Sequence, residues 1–516
     1  MADVKNRTND ILHYPFAAVD TIAGQLQKNA ALYGAETWLT CAITGEKMTW
    51  QEVYDKAQAI AHDLISMGVR GGDSVALASP NSIGACLSFL GITLAGARAT
   101  PINLVAGQKV MSYVLTHSGT KLVLVSDEAK DSLKEAIAEV AHAVNIISVD
   151  SQNGPILPQG EPQNMPVLNP HQPALLMYTS GTTGNPKGVL LSHKNLLHAG
   201  RNVAVGHGLT RQDKGLCILP IYHINGLCVT VMGTIMSSSG LVMAPRFSQG
   251  KFWHQITHHH CSWFSAVPTL FSYILNNDET PDLSASPLRF ARSASAPLAP
   301  EVHKKFEARF GIPIIETMGL TETGAQILSN PMPPDRRKIG SPGQAIGNEV
   351  MIANPETLAA CQPEEEGEIL VRGENVMMGY LNQPEETAKT IQDGWLRTGD
   401  LGRMDKDGFV FVTGRIKELI IKGGENIAPR EIDEVLLEHP AVLEAAAFAR
   451  PCDTYGQIVE ACVALKANQT ATSQDLVRLC QQRLGMFKSP DVIHFLPELP
   501  KGPSGKVQRR KLIEMV

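Results

Sequence analysis

The sequence has no excess of positive charge and few aromatic residues. Its 45 Lys and Arg residues are outnumbered by 51 Asp and Glu residues, and the net charge of −6 provides no general field that would attract DNA, RNA or anionic lipid. Aromatic residues make up only 5% of the chain, but hydrophobic residues make up 43%, which excludes a disordered chain. We therefore expect a folded protein that has no nucleic-acid partner.

Long apolar runs, a signal sequence and paired cysteines are also missing. Two uncharged stretches, residues 74–97 and 215–245, are interrupted by proline, asparagine or several glycines, so neither contains the ~20 apolar residues that a membrane span requires. The first 20 residues lack the apolar segment of a secretory signal, and the nine cysteines are scattered without a CxxC pair. These absences predict a cytoplasmic protein without a membrane span.

The sequence does contain an alternation of short apolar runs and longer helical patterns. Residues 74–78 and 121–125 are rich in valine, leucine and alanine, whereas residues 50–67 and 128–141 have a helical pattern. This alternation is typical of parallel, doubly wound α/β layers, and 516 residues, against ~100–150 for one domain, predict several such units. Residues 151–172, rich in Pro, Gly, Asn and Gln, predict a border between two layers.

The pattern changes twice towards the C-terminus. Residues 348–413 contain brief strands with glycine and acidic turns, which indicates a small β-rich subdomain. The last hundred residues or so have the pattern helix, strand, strand, helix and strand, which predicts a small α+β domain. We therefore predict the α/β class, with a large N-terminal domain over residues 1–413, a border at residues 414–417 and a C-terminal domain over residues 418–516.

A loop rich in hydroxyl groups and glycine follows an apolar strand start. Residues 179–188, TSGTTGNPKG, contain four hydroxyls, three glycines and a lysine. Small residues let backbone N–H groups approach an anion and the lysine supplies charge, so phosphate is the expected ligand. The loop is not a Walker P-loop, because Pro186 precedes Lys187 and Gly188 follows it, where that motif has Gly and Ser or Thr. A residue elsewhere must therefore hold any Mg²⁺.

Seven further stretches follow in order along the chain: PIYHINGL (220–227), RSASAPL (292–298), ETMGLTET (316–323), GEILVRGENVMMGY (367–380), GWLRTGD (394–400), GRIKELIIKGGENI (414–427) and PSGKVQRR (503–510). Together with YTSGTTGNPKGV (178–189), they resemble the motifs of the adenylate-forming superfamily, which includes acyl-CoA ligases. The resemblance covers essentially the whole chain. It implies an AMP-forming acid–thiol ligase, in which a carboxylate attacks the α-phosphate of ATP and a thiol then displaces AMP.

The resemblance also implies which residues bind the nucleotide. Glu322 would hold Mg²⁺, and Asp400, assisted by Arg415, would bind the ribose hydroxyls. Met318 stands where the family commonly has an aromatic residue beside the adenine. The phosphate loop would use Thr179, Ser180, Gly181, Thr182, Thr183, Gly184 and Lys187, and the other nucleotide contacts would come from Ser295, Ala296, Pro297, Glu316, Thr317, Met318 and Thr321.

In the family, the small C-terminal domain is mobile and rotates between the two half-reactions. Lys506 would be the catalytic lysine that stabilises charge during adenylation. Lys417, in the hinge at residues 414–417, would be the pivot that then brings Lys422, Gly423 and Gly424 to CoA. The implied cosubstrates are ATP and CoA, the cofactor is Mg²⁺, and a homodimer is left open.

A few polar residues bear on the identity of the acid. By resemblance, His223 lies at the acid as a catalytic and binding residue, and Asn225, Ser293 and Ser295 would bind the substrate. Such polar groups favour a short acid with a second polar or charged end, such as an oxalate-like dicarboxylate or a sulfoacetate-like acid. For Arg292 the sequence suggests no more than support of this loop.

Other segments resemble oxalate:CoA ligases more than long-chain or coumarate ligases, namely residues 263–275, 288–300 and 327–334. Asn225 stands where those enzymes have a second histidine, which puts oxalate itself in doubt. Two alternatives stay open. One is the same chemistry on a medium-chain or aromatic acid, and the other is a non-catalytic adenylate-binding protein.

Overall fold

The computed structural model describes residues 20–160, 164–179, 185–502 and 506–516. Two large sheets made mainly of parallel strands form most of the chain before residue 346, and a small five-stranded sheet follows them. A second five-stranded sheet with its own helices makes up the chain after residue 420. The predicted α/β class, with a large N-terminal and a smaller C-terminal domain, is confirmed.

The first large sheet carries the phosphate loop. The loop connects two antiparallel neighbours, Pro173–Thr179 and Lys187–Ser192, at one side of the parallel strands. The order of its strands is Gly379–Tyr380, Lys187–Ser192, Pro173–Thr179, Arg98–Pro101, Ser74–Ala78, Leu122–Ser126, Asn145–Asp150 and Gly154–Pro155.

The second large sheet supplies the acid and adenine segments. Its order is Gln344–Ala345, Ala325–Ser329, Ile314–Leu320, Phe290–Ser293, Trp263–Ala266, Lys214–Cys217, Gly240–Met243, Thr37–Cys41 and Lys47–Thr49. The two sheets share one hydrophobic core, in which Leu39 and Leu241 of this sheet join Val75 and Leu175 of the first.

The border predicted at residues 151–172 is wrong as a division between the two layers. Strand Thr37–Cys41, far before it, belongs to the second sheet, whereas Pro173–Thr179 and Lys187–Ser192, just after it, complete the first. Which sheet a strand joins depends on its pairing with segments that are distant in the sequence, and local composition carries no signal for that pairing.

The two smaller sheets belong to the β-rich subdomain and the C-terminal domain. In the first, Glu349–Ala353, Gly367–Arg372, Trp395–Met404 and Ile391–Gln392 are neighbours in that order, and Val410–Arg415 pairs with Trp395–Met404. In the second the order is Glu425–Ile427, Ile420–Lys422, Gly456–Leu465 and Val442–Cys452, and Val492–Phe495 pairs with Gly456–Leu465.

Local sequence signals explain where several helices begin. Thr49 and Glu52 form a capping box at the start of Trp50–Ser66, and Thr472 and Asp475 form one at the start of Ser473–Leu484. The α-helices of the described residues are Ile22–Tyr33, Trp50–Ser66, Ile83–Leu94, Gln108–Ser118, Lys130–Ala138, His193–Gly206, Gly233–Ser237, Gln249–His258, Pro268–Leu275, Pro300–Phe310, Pro384–Thr390, Pro429–Glu438, Ser473–Leu484 and Arg509–Met515.

The uncharged stretches lie in the core. Every residue of helix Ile83–Leu94 is buried, and residues 225–232 form a buried π-helix that continues into Gly233–Ser237. Among the helices of the described residues, none is both long enough and apolar enough to cross a bilayer.

The C-terminal domain contacts the N-terminal domain near the predicted site. The Lys501 ammonium forms an ion pair with Glu444 at 2.8 Å and donates a hydrogen bond to the Tyr273 hydroxyl of the N-terminal domain at 3.0 Å. Arg430 donates to the carbonyl oxygen of Val412. These contacts join the two domains.

Candidate active site

The two ends of the phosphate loop are held together by strand pairing. Thr179 and Lys187 are direct partners across the antiparallel pair, so the two ends of the loop lie side by side. Five predicted members of the loop, Ser180, Gly181, Thr182, Thr183 and Gly184, lie outside the described residues.

Lys187 belongs to a cluster of charged and hydroxyl groups. Its ammonium forms an ion pair with Glu386 and lies 4.7 Å from the centre of the Tyr380 ring. Because Tyr380 pairs with Val189 across the sheet edge, the strand Gly379–Tyr380 brings this ring beside the lysine. No motif in the sequence marks Glu386, whereas Tyr380 ends the motif GEILVRGENVMMGY, which was a signal for this second partner.

The cluster continues to the predicted magnesium residue. The Tyr380 hydroxyl donates to the Glu322 carboxylate at 2.9 Å. Burial and the nearby Glu322 charge raise the pKa of Tyr380, so the hydroxyl keeps its proton and remains a donor. Lys187 and Glu322, 135 positions apart in the sequence, thus meet through one tyrosine.

Glu322 fits a magnesium ion that is shared with a nucleotide. It lies on the short 3₁₀ turn Thr321–Thr323, and its carboxylate can accept from Tyr380 and still ligate a cation. Within the described residues, no three His, Cys, Asp or Glu side chains converge as a metal cage. Mg²⁺ is commonly held by one or two carboxylates together with substrate phosphates, which agrees with a single carboxylate here.

Asp400 and Arg415 are neighbours on two adjacent strands. They are direct cross-strand partners, and Arg415 Nη2 donates to Asp400 Oδ2 at 3.4 Å while its Nε contacts Oδ1. The Asp400 charge raises the pKa of Arg415. Arg415 therefore keeps its positive charge beside Asp400, and a carboxylate is a good acceptor for two vicinal hydroxyls.

The predicted adenine segments lie side by side. Ser293 and Glu316 are partners in parallel strands, and the Thr317 hydroxyl donates to the Ser293 carbonyl oxygen at 3.2 Å. The Glu316 carboxylate, however, accepts from His303 at 3.1 Å and from the Gly340 N–H at 3.0 Å. Its side chain thus supports the protein, and its nucleotide role stays a prediction.

The other predicted nucleotide residues differ in exposure. Ser295 has a backbone φ of 73°, an unusual value for a residue other than glycine. Ala296 is partly buried and Pro297 is exposed. Met318 is partly buried against the core of the β-rich subdomain.

Lys506 lies beside the Asp400–Arg415 pair. Its ammonium is 3.6 Å from the Glu418 carboxylate. Burial lowers the pKa of Lys506, and the Arg415 charge lowers it further, although the carboxylates of Glu418 and Asp400 oppose the shift. A lysine from the end of the chain therefore reaches the same place as the predicted ribose residues.

The predicted CoA residues have their contacts within the C-terminal domain. Lys422 forms an ion pair with Asp491 at 3.0 Å, and its ammonium lies 5.5 Å from the centre of the Phe487 ring. Gly423 and Gly424 have φ values of 58° and 87°, which suit a tight turn between two strands. Lys417, the predicted pivot, lies on the 3₁₀ turn Ile416–Glu418, between the last strand of the N-terminal domain and the C-terminal sheet.

The acid segment is built on the start of the π-helix. Burial lowers the pKa of His223 to about 4, so its imidazole is neutral near pH 7. The Asn225 backbone N–H donates to His223 Nδ1 at 3.4 Å, and the Asn225 side chain donates to the Ser295 hydroxyl at 3.0 Å. Three of the four predicted acid-binding residues are therefore linked directly. The fourth, Ser293, is buried, and its hydroxyl has no hydrogen-bond partner among the described residues.

Arg292 is a buried member of this segment that was expected only to support the loop. Its side chain is 1% exposed, and it donates to Asn225 Oδ1 at 3.1 Å, to the Ser265 hydroxyl at 3.0 Å and to Gln326 Oε1 at 3.3 Å. A charged residue inside a short, fully buried strand was the feature that the sequence reasoning did not use.

This fold and this site define the class of protein. A hydroxyl-rich loop with a lysine, a carboxylate suited to Mg²⁺, a ribose-type carboxylate and a lysine from a separate C-terminal domain form the arrangement of an adenylate-forming enzyme. The chain belongs to the AMP-binding enzyme family: the family profile matches residues 26–381, and the profile of the family's C-terminal domain matches residues 431–506.

Known relatives match nearly the whole chain. The sulfoacetate–CoA ligase of Cupriavidus necator is 42% identical over 499 residues, covering 96% of this chain and 97% of that protein. The oxalate–CoA ligase of Arabidopsis thaliana is 34% identical, covering 95% and 98%. The o-succinylbenzoate CoA synthetase of Bacillus subtilis, solved with ATP and magnesium, has a TM-score of 0.84 at 30% identity, covering 95% and 98%. The predicted enzyme class, an AMP-forming acid–thiol ligase, is confirmed.

Proposed function

We propose that the protein joins a short acid with a second polar or anionic end to CoA, through an acyl-adenylate. The observation that carries the proposal is the linked set of His223, Asn225 and Ser295, which presents polar groups where a long-chain acid would need apolar ones. The names of the sulfoacetate and oxalate ligases support the same class of acid.

In the first half-reaction, a carboxylate oxygen of the acid attacks the α-phosphorus of ATP and pyrophosphate leaves. Lys187 and the phosphate loop hold the β- and γ-phosphates, and Asp400 holds the ribose. The neutral His223 imidazole orients the carboxylate without adding a charge. Lys506 stabilises the negative charge that develops around the α-phosphate. A magnesium ion on Glu322 would neutralise phosphate charge.

In the second half-reaction, the thiolate of CoA attacks the acyl carbon, a C–S bond forms, and the bond to the AMP oxygen breaks as AMP leaves with its electron pair. Rotation about Lys417 withdraws Lys506 and brings Lys422, Gly423 and Gly424 to the site. A few residues at a domain border are enough to absorb such a rotation. The cytoplasmic location and the state of assembly, including a homodimer, stay predictions.

The test is pyrophosphate release from ATP in the presence of Mg²⁺ and CoA. The acids are oxalate, malonate, sulfoacetate, acetate, octanoate and coumarate, and the Lys506→Ala variant is the control. We expect turnover confined to the short polar acids and lost in the variant. A preference for octanoate or coumarate would refute the proposed substrate class, and no turnover with any acid would favour a non-catalytic adenylate-binding protein.

A further inference from the structure

Arg292 is a buried cation without a counter-charge in the part of the chain that the structure describes. All three of its hydrogen-bond acceptors, on Asn225, Ser265 and Gln326, are neutral oxygens. Among the described residues, no carboxylate lies within ion-pair distance of its guanidinium, and no carboxylate contributes to its pKa shift. Burial lowers the pKa of Arg292 to about 9, so the group is still protonated near pH 7.

An unpaired buried cation is costly, and this chain pairs a neighbouring arginine in the usual way. Transfer of a charge from water into the protein interior is strongly unfavourable unless an opposite charge compensates it. Arg289, three residues earlier, is 40% exposed and forms an ion pair with Asp213 at 2.9 Å. Arg289 therefore has a carboxylate partner, whereas Arg292 has none among the described residues. An anionic substrate would supply the negative charge that Arg292 lacks.

The contacts of Asn225 connect this charge to the acid segment. Its Oδ1 accepts hydrogen bonds from both Arg292 at 3.1 Å and the Ser265 hydroxyl at 3.0 Å. A flipped amide would place its NH₂ group against the guanidinium, so the cation fixes the orientation of the amide. The NH₂ group consequently points to the Ser295 hydroxyl, 3.0 Å away. Asn225 thus presents N–H donors, polarised by Arg292, on the side of the predicted substrate residues.

We propose that Arg292 selects acids carrying a second anionic group, by holding Asn225 as a donor and by supplying a buried positive charge behind it. Arg292 is a positioning residue, because it acts through Asn225. The inference rests on the proposed function and names the feature of the acid that this site recognises, namely the charge of its second end.

The test compares two acids of nearly equal shape that differ in charge. Sulfoacetate carries a sulfonate, and methylsulfonylacetate carries a neutral methyl sulfone in its place. The measured quantity is the ratio of kcat/KM for sulfoacetate to kcat/KM for methylsulfonylacetate, from pyrophosphate release. We expect the wild-type ratio to be well above one, and Arg292→Met to lower it by about tenfold or more. Arg292→Lys should keep most of it.

Further measurements separate charge recognition from a general structural role. Arg289→Met, the matched control, should leave the ratio unchanged. In Arg292→Met the change should fall on the KM for the acid, while the KM for ATP stays the same. Thermal denaturation checks that each variant is folded.

A second variant tests the inference without removing the arginine. Asn225→Asp keeps the side-chain volume and gives Arg292 a carboxylate partner, so folding is not endangered by an orphaned charge. We expect this variant to lose the preference for sulfoacetate. An unchanged ratio in both Arg292→Met and Asn225→Asp, with a wild-type enzyme that does use sulfoacetate, would overturn the inference alone. A wild-type enzyme that uses octanoate and neither short acid would refute the proposed function, and the inference with it.

Discussion

The ion pair between Lys187 and Glu386 predicts that the Glu386 carboxylate competes with the phosphates of ATP for the Lys187 ammonium. If Lys187 binds the β- and γ-phosphates, it must share its charge with them or leave Glu386. Substitution of Glu386 by glutamine removes the competing charge but keeps the size of the side chain. We therefore expect Glu386→Gln to lower the KM for ATP.

The solvent exposure of the two side chains sets the size of the expected change in the KM for ATP. The Lys187 and Glu386 side chains are 23% and 34% exposed, so water screens part of their attraction. Ion pairs of this kind contribute about 0.2–1 kcal/mol. This range corresponds to about 1.4- to fivefold in an equilibrium constant, so a fall in KM of at most about fivefold is expected. The maximal rate should change little, because Glu386 is assigned no contact with the reacting atoms.

The assay is ATP–pyrophosphate exchange at varied ATP concentration, carried out at low and high ionic strength. Glu385→Gln is the matched control, because it removes the same charge one residue away on an exposed side chain. An unchanged or higher KM in Glu386→Gln would refute the competition. An equal fall of the KM in the Glu385→Gln control would show that the KM responds to the overall charge of helix Pro384–Thr390 and not to the ion pair.

The same pair has a consequence for stability. The Lys187 ammonium lowers the pKa of Glu386 in the folded protein. The stability that comes from this pair is therefore present above the unfolded-state pKa and is lost as the pH falls through the folded-state pKa. The difference in melting temperature between wild-type and Glu386→Gln should shrink in acid.

Three further predictions concern other parts of the site. Lys506→Ala should slow acyl-adenylate formation by about 100-fold or more, yet leave thioester formation from a supplied acyl-adenylate nearly intact, as measured by separate assays of the two half-reactions. Asp400→Asn should raise the KM for ATP by about tenfold or more, because a charged hydrogen bond of about 2 kcal/mol is lost; an unchanged KM would contradict the ribose role. Although burial opposes the shift, hydrogen bonds to Glu307 and Glu316 raise the pKa of His303. This contribution to stability is present below the unfolded-state pKa and lost as the pH rises through the folded-state pKa, so His303→Gln should lower the melting temperature more at pH 6 than at pH 9.

Local elements of the fold could be predicted where one short segment carries its own signal. The strand at residues 74–78 is an uninterrupted run of small and apolar residues, and it was found with the predicted bounds. The second helix of the pattern predicted for the C-terminal domain is also present, as Ser473–Leu484, and Thr472 and Asp475 cap its start. The helix predicted at residues 128–141 is shorter, Lys130–Ala138, because a 3₁₀ turn occupies its first residues.

By itself, the sequence predicted the chemistry of the site, because the residue types in the phosphate loop indicate phosphate binding and the ordered motifs resemble those of adenylate-forming enzymes. It also determined the fold class, through the alternation of apolar runs and helical patterns. Both signals are local, so neither required knowledge of which segments are neighbours in space.

Only the tertiary structure decided how distant residues are paired. Glu386 reaches Lys187 from 199 positions away, and Lys506 reaches the Asp400–Arg415 pair from another domain. Arg292 looked like a support for its loop until the fold showed that its hydrogen-bond acceptors among the described residues are all neutral oxygens. Charge interactions depend on distance and burial, and these quantities exist only once the chain is folded.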